Sequence, residues 1–159
     1  MDVWTADPQR DAGLVATLRY AWARTSGATT DPQDDAFVEQ VRAWWIRDER
    51  TVFLAGESIP GGGGAAAGMV TLHEYRRMPV PGAAPSAWGY LGHLFVLPAA
   101  RGEGHGRALI EAVQRAAHDR GYRRLVLSPS EESIPLYRRT GFRAADELMV
   151  WEPGPAATS

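Results

Sequence analysis

The stretch from Tyr90 to Gly106, YLGHLFVLPAARGEGHG, constrains the fold more than any other part of the chain. Leu91, Leu94, Phe95, Val96 and Leu97 form an apolar run that reads as a strand, and Pro98 stops it. Arg101-Gly102-Glu103-Gly104-His105-Gly106 follows, and then a helical pattern begins. In a strand, glycine-rich turn and helix start, the backbone N–H groups at the turn have no intrahelical partners. The helix dipole adds partial positive charge at the same place. Glycines allow φ > 0 and let an anion approach the backbone. The arrangement suits a phosphorylated ligand.

Two common nucleotide motifs do not fit. A P-loop ends in Gly-Lys-Ser/Thr, and this chain has no lysine among its 17 basic residues. A dinucleotide fold needs G-x-G-x-x-G and an acid about 20 residues later. Here the glycines stand at 102, 104 and 106, and the next strand, Arg124-Leu125-Val126-Leu127-Ser128, ends without an acid.

The chain of 159 residues suits one domain over 1–152, with 153–159 expected to be a disordered tail. With no cysteine there is no disulfide framework, thiol nucleophile or thiolate metal site. The histidines at 73, 93, 105 and 118 lack paired metal-ligand spacing, so no metal is expected. The N-terminus, MDVWTADPQR, is neither a leader nor a membrane span, which makes a cytoplasmic protein without membrane association the expectation. A net charge of −2 argues against nucleic acid as a partner. Charge is uneven: residues 101–143 hold nine arginines against five acids, a positive field around the glycine turn that favours an anionic ligand.

Asp7-Pro8 reads as a helix start, and Leu14, Val15, Leu18, Ala21 and Trp22 give that helix one apolar face. Asp31-Pro32 repeats the signal, and Phe37, Val38, Val41, Trp44 and Trp45 carry a second helix to about Arg47. Strands are expected at Val3–Ala6, Thr51–Ala55, Ala66–His73, Ala87–Leu97 and Leu125–Ser128. Loops are expected at Ser58–Ala65, with its four glycines, and at Arg76–Ala87. A long helix ends at Gly121, a short helix carries Tyr137, and Phe142–Ala145 with Glu147–Glu152 reads as a final hairpin. This order describes an α/β (α+β) domain with a mixed sheet.

Val96-x-Pro98-x-x-Arg101-x-x-Gly104-x-Gly106, followed by Arg107 and Ala108, resembles the acyl-CoA-binding signature of the GNAT superfamily of N-acyltransferases. Ser133-Ile134-Pro135-Leu136-Tyr137-Arg138-Arg139-Thr140-Gly141-Phe142 is similar to the C-terminal motif of the same family. The two occur in the family's order and together span about residues 89–152. The resemblance implies a single GNAT-like domain with flanking helices. Its sheet would be mixed and mostly antiparallel, with two parallel strands, 89–97 and 124–128, splaying apart around acetyl-CoA. It further implies acetyl transfer to a primary amine on a small molecule or peptide, by direct attack in a ternary complex. Relatives often form dimers through their C-terminal strands, so a homodimer is one expectation. The alternative is a non-catalytic CoA-binding sensor or scaffold.

On this resemblance the backbone of Arg101, Gly102, Glu103, Gly104, His105, Gly106 and Arg107 wraps the pyrophosphate. His105 fills a position that is usually apolar or variable. The edge of Leu94, Phe95 and Val96 pairs with the pantetheine arm as an added strand would. Ser130 stands where many members have an asparagine that contacts CoA, and it reads equally as a helix N-cap. Tyr137 is the expected catalytic acid, because a phenol aimed at the departing sulfur can donate a proton. The general base is open between Glu74, His93 and water, and of the two side chains Glu74, at a strand end by the expected cleft mouth, is the one favoured as catalytic. Strict alternation puts Tyr90, Gly92, Leu94 and Val96 on one face and His93 on the other, unless a bulge intervenes. Acceptor recognition is expected from Trp22–Thr30, Trp44, Trp45 and His73–Ala87. Asp31, Asp34 and Asp35 could attract a cationic amine, although helix-start acids need no such role.

Overall fold

The computed structural model describes residues 1–28, 35–60 and 64–153. Its elements are β1 (Asp2–Thr5), α1 (Pro8–Thr25), α2 (Asp35–Arg47), β2 (Thr51–Ser58), β3 (Gly64–Arg76), β4 (Ala87–Val96), α3 (His105–Asp119), β5 (Leu125–Val126) and α4 (Ile134–Arg139). The sheet runs β1-β2-β3-β4-β5; the first four strands are antiparallel and β5 lies parallel to β4.

Local chemistry sets the helix ends. Asp7 Oδ1 accepts from the N–H groups of Gln9 (2.9 Å) and Arg10 (3.2 Å), and Pro8 opens the first turn of α1. Strand alternation then divides the core in two. Val52, Leu54, Met69 and Phe95 pack with Leu18 of α1 and with Val41 and Trp45 of α2. Phe53, Val70, Leu72 and Leu91 pack on the other face with Leu109, Ile110 and Val113 of α3, together with Tyr137 of α4.

Three expectations change. β2 reaches Ser58 and β3 starts at Gly64, so the strands run further into the glycine-rich hairpin than its composition suggests, because Gly56, Glu57 and Ser58 keep ladder partners in Ala66, Ala65 and Gly64. β5 is two residues long and not four. The hairpin expected over 142–152 does not form: the segment turns at Asp146–Glu147 without strand pairing. The apolar run Leu148–Trp151 has no strand partner among the described residues, since β5 offers only two residues, and Met149, Val150 and Trp151 stand 97%, 86% and 84% exposed. Glu147 instead accepts from Arg143 (3.2 Å) and faces Arg124 (3.9 Å). The helix-start pair Asp31-Pro32, Asp34 and tail residues 154–159 lie outside the described residues.

Candidate active site

β4 and β5 pair only at Gly89↔Leu125 and Tyr90↔Val126. β4 then continues to Val96 with no further partner on that side, so the two strands diverge and leave an open fork. Leu94, Phe95 and Val96 lie on this free edge, and Arg101 Nε donates to the Val96 carbonyl at 3.2 Å.

At the open end, Pro98–Ala100 forms one 3₁₀ turn and leads into the glycine turn. Gly102 and Gly104 hold φ of 86° and 90°, and a Cβ at either would meet nothing within 4 Å. Both positions need glycine for backbone conformation, and the space above them is free. Gly104 is the N-cap of α3, with no side chain covering the first N–H groups. A cradle with open space, uncovered amides and a helix N-terminus fits a pyrophosphate. Gly106 differs: a Cβ there would lie 3.2 Å from Leu136 Cδ2, so this glycine lets α4 approach α3. Arg107 turns away from the cradle to Glu111 (2.8 Å), as an exposed intrahelical pair. His105 points inward at 7% exposure, its Nε2 at 3.3 Å from Glu103 Oε2 and its buried Nδ1 without a partner among the described residues.

A short 3₁₀ turn at Glu131–Ser133 leads into α4, with Pro135 in its first turn. Ser130 Oγ donates to Ser133 Oγ (3.1 Å) and caps no backbone amide. The Tyr137 ring is 7% exposed and meets Phe142 edge-on at 5.6 Å. Its hydroxyl has no hydrogen-bond partner among the described residues. Burial, followed by the proximity of Tyr90, raises its pKa to about 12, so the phenol keeps its proton at neutral pH.

The β4 alternation is broken. Met69 pairs with Phe95 and Thr71 with Gly92, so Val70 alone faces both His93 and Leu94: a bulge. His93 takes φ of 52°, a left-handed conformation unusual for a residue with a side chain. Leu94 and Val96 consequently join Leu91 on the α3 face, and His93 joins Phe95 on the face of α1 and α2. The imidazole stands 5.5 Å from the Trp44 ring and 6.2 Å from Trp22, and it lines a cavity of about 270 Å³ with Arg19, Phe37, Trp44, Met69 and Thr71.

Thr71 fixes the imidazole. Its hydroxyl donates to the Gly92 carbonyl at 3.1 Å and lies 2.9 Å from His93 Nδ1. A hydroxyl has one proton and a carbonyl only accepts. Both contacts are satisfied together when Nδ1 carries the ring proton, a tautomer assigned from this network. Nε2 then keeps its lone pair. Desolvation, then the charges of Arg50 and Arg19, lowers the His93 pKa, so the ring is neutral at pH 7.

Glu74 lies elsewhere. It pairs with Gly89 at the closed end of the fork, on the α3 face. Its carboxylate accepts from Tyr122 Oη (2.6 Å) and Arg76 Nε (2.7 Å), and these bonds lower its pKa and weaken it as a base. Thr71 and Arg19 carried no signal in the sequence: a threonine in a strand and an arginine on a helix are ordinary, and only tertiary contact brings them to His93. Asp35 begins α2 and does not line the cavity. Among the described residues no group of three His, Asp or Glu side chains is placed to hold a metal ion, and no helix is long and apolar enough to cross a membrane.

Comparison with known proteins gives the family and the fold. Glucosamine 6-phosphate N-acetyltransferase of Trypanosoma brucei brucei is 36% identical over 63 residues, 40% of this chain and 43% of that protein, so the match spans less than half of that relative. An acetyltransferase of Trypanosoma brucei matches with a TM-score of 0.71 at 21% identity over 96% of this chain and 99% of that one. A predicted acetyltransferase of Clostridium acetobutylicum, crystallised with acetyl-CoA, matches at 0.70 and 17% identity over 95% of each chain. The two structures share the fold of this chain. The sequence model of the acetyltransferase (GNAT) family matches residues 16–142, which takes in the second half of α1, all of α2, the forked strands, the glycine turn and Tyr137, and the chain therefore belongs to the GNAT family.

Proposed function

We propose that this protein is an N-acetyltransferase that moves the acetyl group of acetyl-CoA to a primary amine by direct attack in a ternary complex. The observation that carries the reading is the fork. Its open edge leads to an uncovered helix N-terminus, and β4 is flanked by the Tyr137 phenol, near Tyr90, on the α3 face and by the His93 imidazole on the face of α1 and α2.

Acetyl-CoA supplies an activated thioester. The backbone of residues 101–107 holds its pyrophosphate, the edge at Leu94–Val96 holds its amide-bearing arm, and Ser130 lies beside that path. His93 Nε2 takes the proton of the acceptor amine, directly or through water. Tyr137 gives its proton toward the departing sulfur. His93 is preferred to Glu74 as base because its Nε2 keeps a free lone pair and the ring lines the apolar cavity between the helices and the sheet, whereas both Glu74 oxygens already accept hydrogen bonds.

Thermal unfolding with acetyl-CoA tests the reading, with ATP and NAD as controls. At 100 Kd a ligand adds roughly 2.7 kcal/mol, a shift of roughly 5–10 °C for a domain of this size. A shift with ATP or NAD instead, or none with acetyl-CoA, overturns the proposal. Tyr137→Phe is expected to keep the shift and to lower kcat by about 100-fold.

A further inference from the structure

This inference rests on the acetyl-transfer reading and concerns the acceptor. The cavity beside His93 is mostly apolar, with Val15, Phe37, Val41, Trp44 and Met69 among its walls. Its polar groups are Arg19, Gln40, Thr71 and His93, and no carboxylate lines it among the described residues. Thr71 is occupied by Gly92 and His93. Arg19 is exposed, lies 5.0 Å over the Trp22 ring and has no carboxylate partner among the described residues. Arg50 stacks on Trp44 at 4.9 Å, but Asp48 at 3.4 Å offsets its charge. Among the described residues the wall thus offers one guanidinium without a carboxylate partner, a large aromatic and aliphatic surface, and a hydrogen-bond acceptor on the imidazole.

We infer that the acceptor is a small primary amine with a bulky apolar body and one carboxylate, the chemistry of a large hydrophobic α-amino acid. The carboxylate meets Arg19, whose planar fork matches it. The apolar body lies among Phe37, Val41, Trp44 and Met69. The amine faces His93. In the transfer the amine nitrogen forms the new C–N bond and the C–S bond breaks. The ammonium proton and the second amine proton go to His93 and solvent, and the thiolate is protonated through Tyr137. The products are an N-acetyl amino acid and CoA. Polycationic amines are disfavoured by Arg19, and sugar amines gain little from apolar walls.

The test compares L-phenylalanine with phenethylamine, which lacks only the carboxylate, and includes glucosamine 6-phosphate and neamine. CoA release and the mass of the product are measured, with the acetyl-CoA thermal shift recorded in parallel. L-Phenylalanine should exceed phenethylamine at least tenfold in kcat/KM and should exceed both sugar amines. Arg19→Gln should bring the ratio of the first pair close to one with the thermal shift retained, and Arg19→Lys should restore part of it. A retained shift with no acetylation of L-phenylalanine, with phenethylamine or a sugar amine preferred, or with a ratio unaffected by Arg19→Gln overturns this inference alone. Loss of the shift in the native enzyme overturns the acetyl-transfer reading, and this inference with it.

Discussion

Thr71 shows how much a single hydroxyl decides at the residue scale. It is 1% exposed and holds His93 in the tautomer that leaves Nε2 free. Thr71→Val keeps the shape and removes the hydroxyl, so kcat should fall about tenfold with KM little changed, and Thr71→Ser should recover most of the loss; a uniform fall in stability and KM would point to packing instead. The pH dependence follows from the sign of the His93 shift. Its pKa lies below the usual value near 6.5, so the basic form is already dominant at pH 7. The acid limb of kcat/KM should therefore fall below about pH 6.5 and disappear in His93→Gln; a limb that survives the substitution assigns the proton elsewhere. His105 is a liability by the same logic. A buried imidazole with an orphaned Nδ1 carries a desolvation cost of about 1 kcal/mol or more. His105→Leu should raise Tm by roughly 2–4 °C while retaining acetyl-CoA binding.

The elements differ in how far they could be read from the sequence. The start of α1 was legible because Asp7 and the amides it caps lie within three residues. The glycine turn was legible for the same reason: left-handed φ at Gly102 and Gly104 is a local demand. The bulge in β4 was not, because it exists only against the register of β3, and the pair it positions, Thr71 and His93, stands 22 residues apart. The C-terminal hairpin expected from the sequence does not form because an apolar run such as 148–151 needs an edge to pair with, and β5 is too short to supply one. The two kinds of glycine in the turn can be separated by experiment. Gly104→Ala places a side chain at φ 90°, which costs about 1–2 kcal/mol, and it should weaken acetyl-CoA binding. Gly106→Ala crowds the flexible end of Leu136 at 3.2 Å and touches Val96 Cγ2 at an ordinary 3.8 Å; it should cost less stability but displace α4, so kcat should fall more than acetyl-CoA affinity. Equal effects of the two substitutions on affinity would count against this division.

At the scale of the whole molecule, the sheet holds two helical layers together while its last strand is joined by two residue pairs. On the proposed reading, the bound arm of acetyl-CoA occupies the place of a missing strand. Amides on the free edge at Leu94–Val96 and in the β5 segment should exchange hydrogen quickly in the free protein and slow on addition of acetyl-CoA, while the β2–β3 ladder stays unchanged. Uniform slowing across the sheet would show general stabilisation and not strand completion.

The two-pair joint between β4 and β5 also bears on the lifetime of the protein. A sheet that borrows a strand from a metabolite is complete only while that metabolite is plentiful. Scarcity would then open the fork and expose β5 and α4 to proteases through the same equilibrium that sets the exchange rates. On the proposed reading, the abundance of the protein would track the acetyl-CoA supply through this joint alone, the bound metabolite acting as a chaperone.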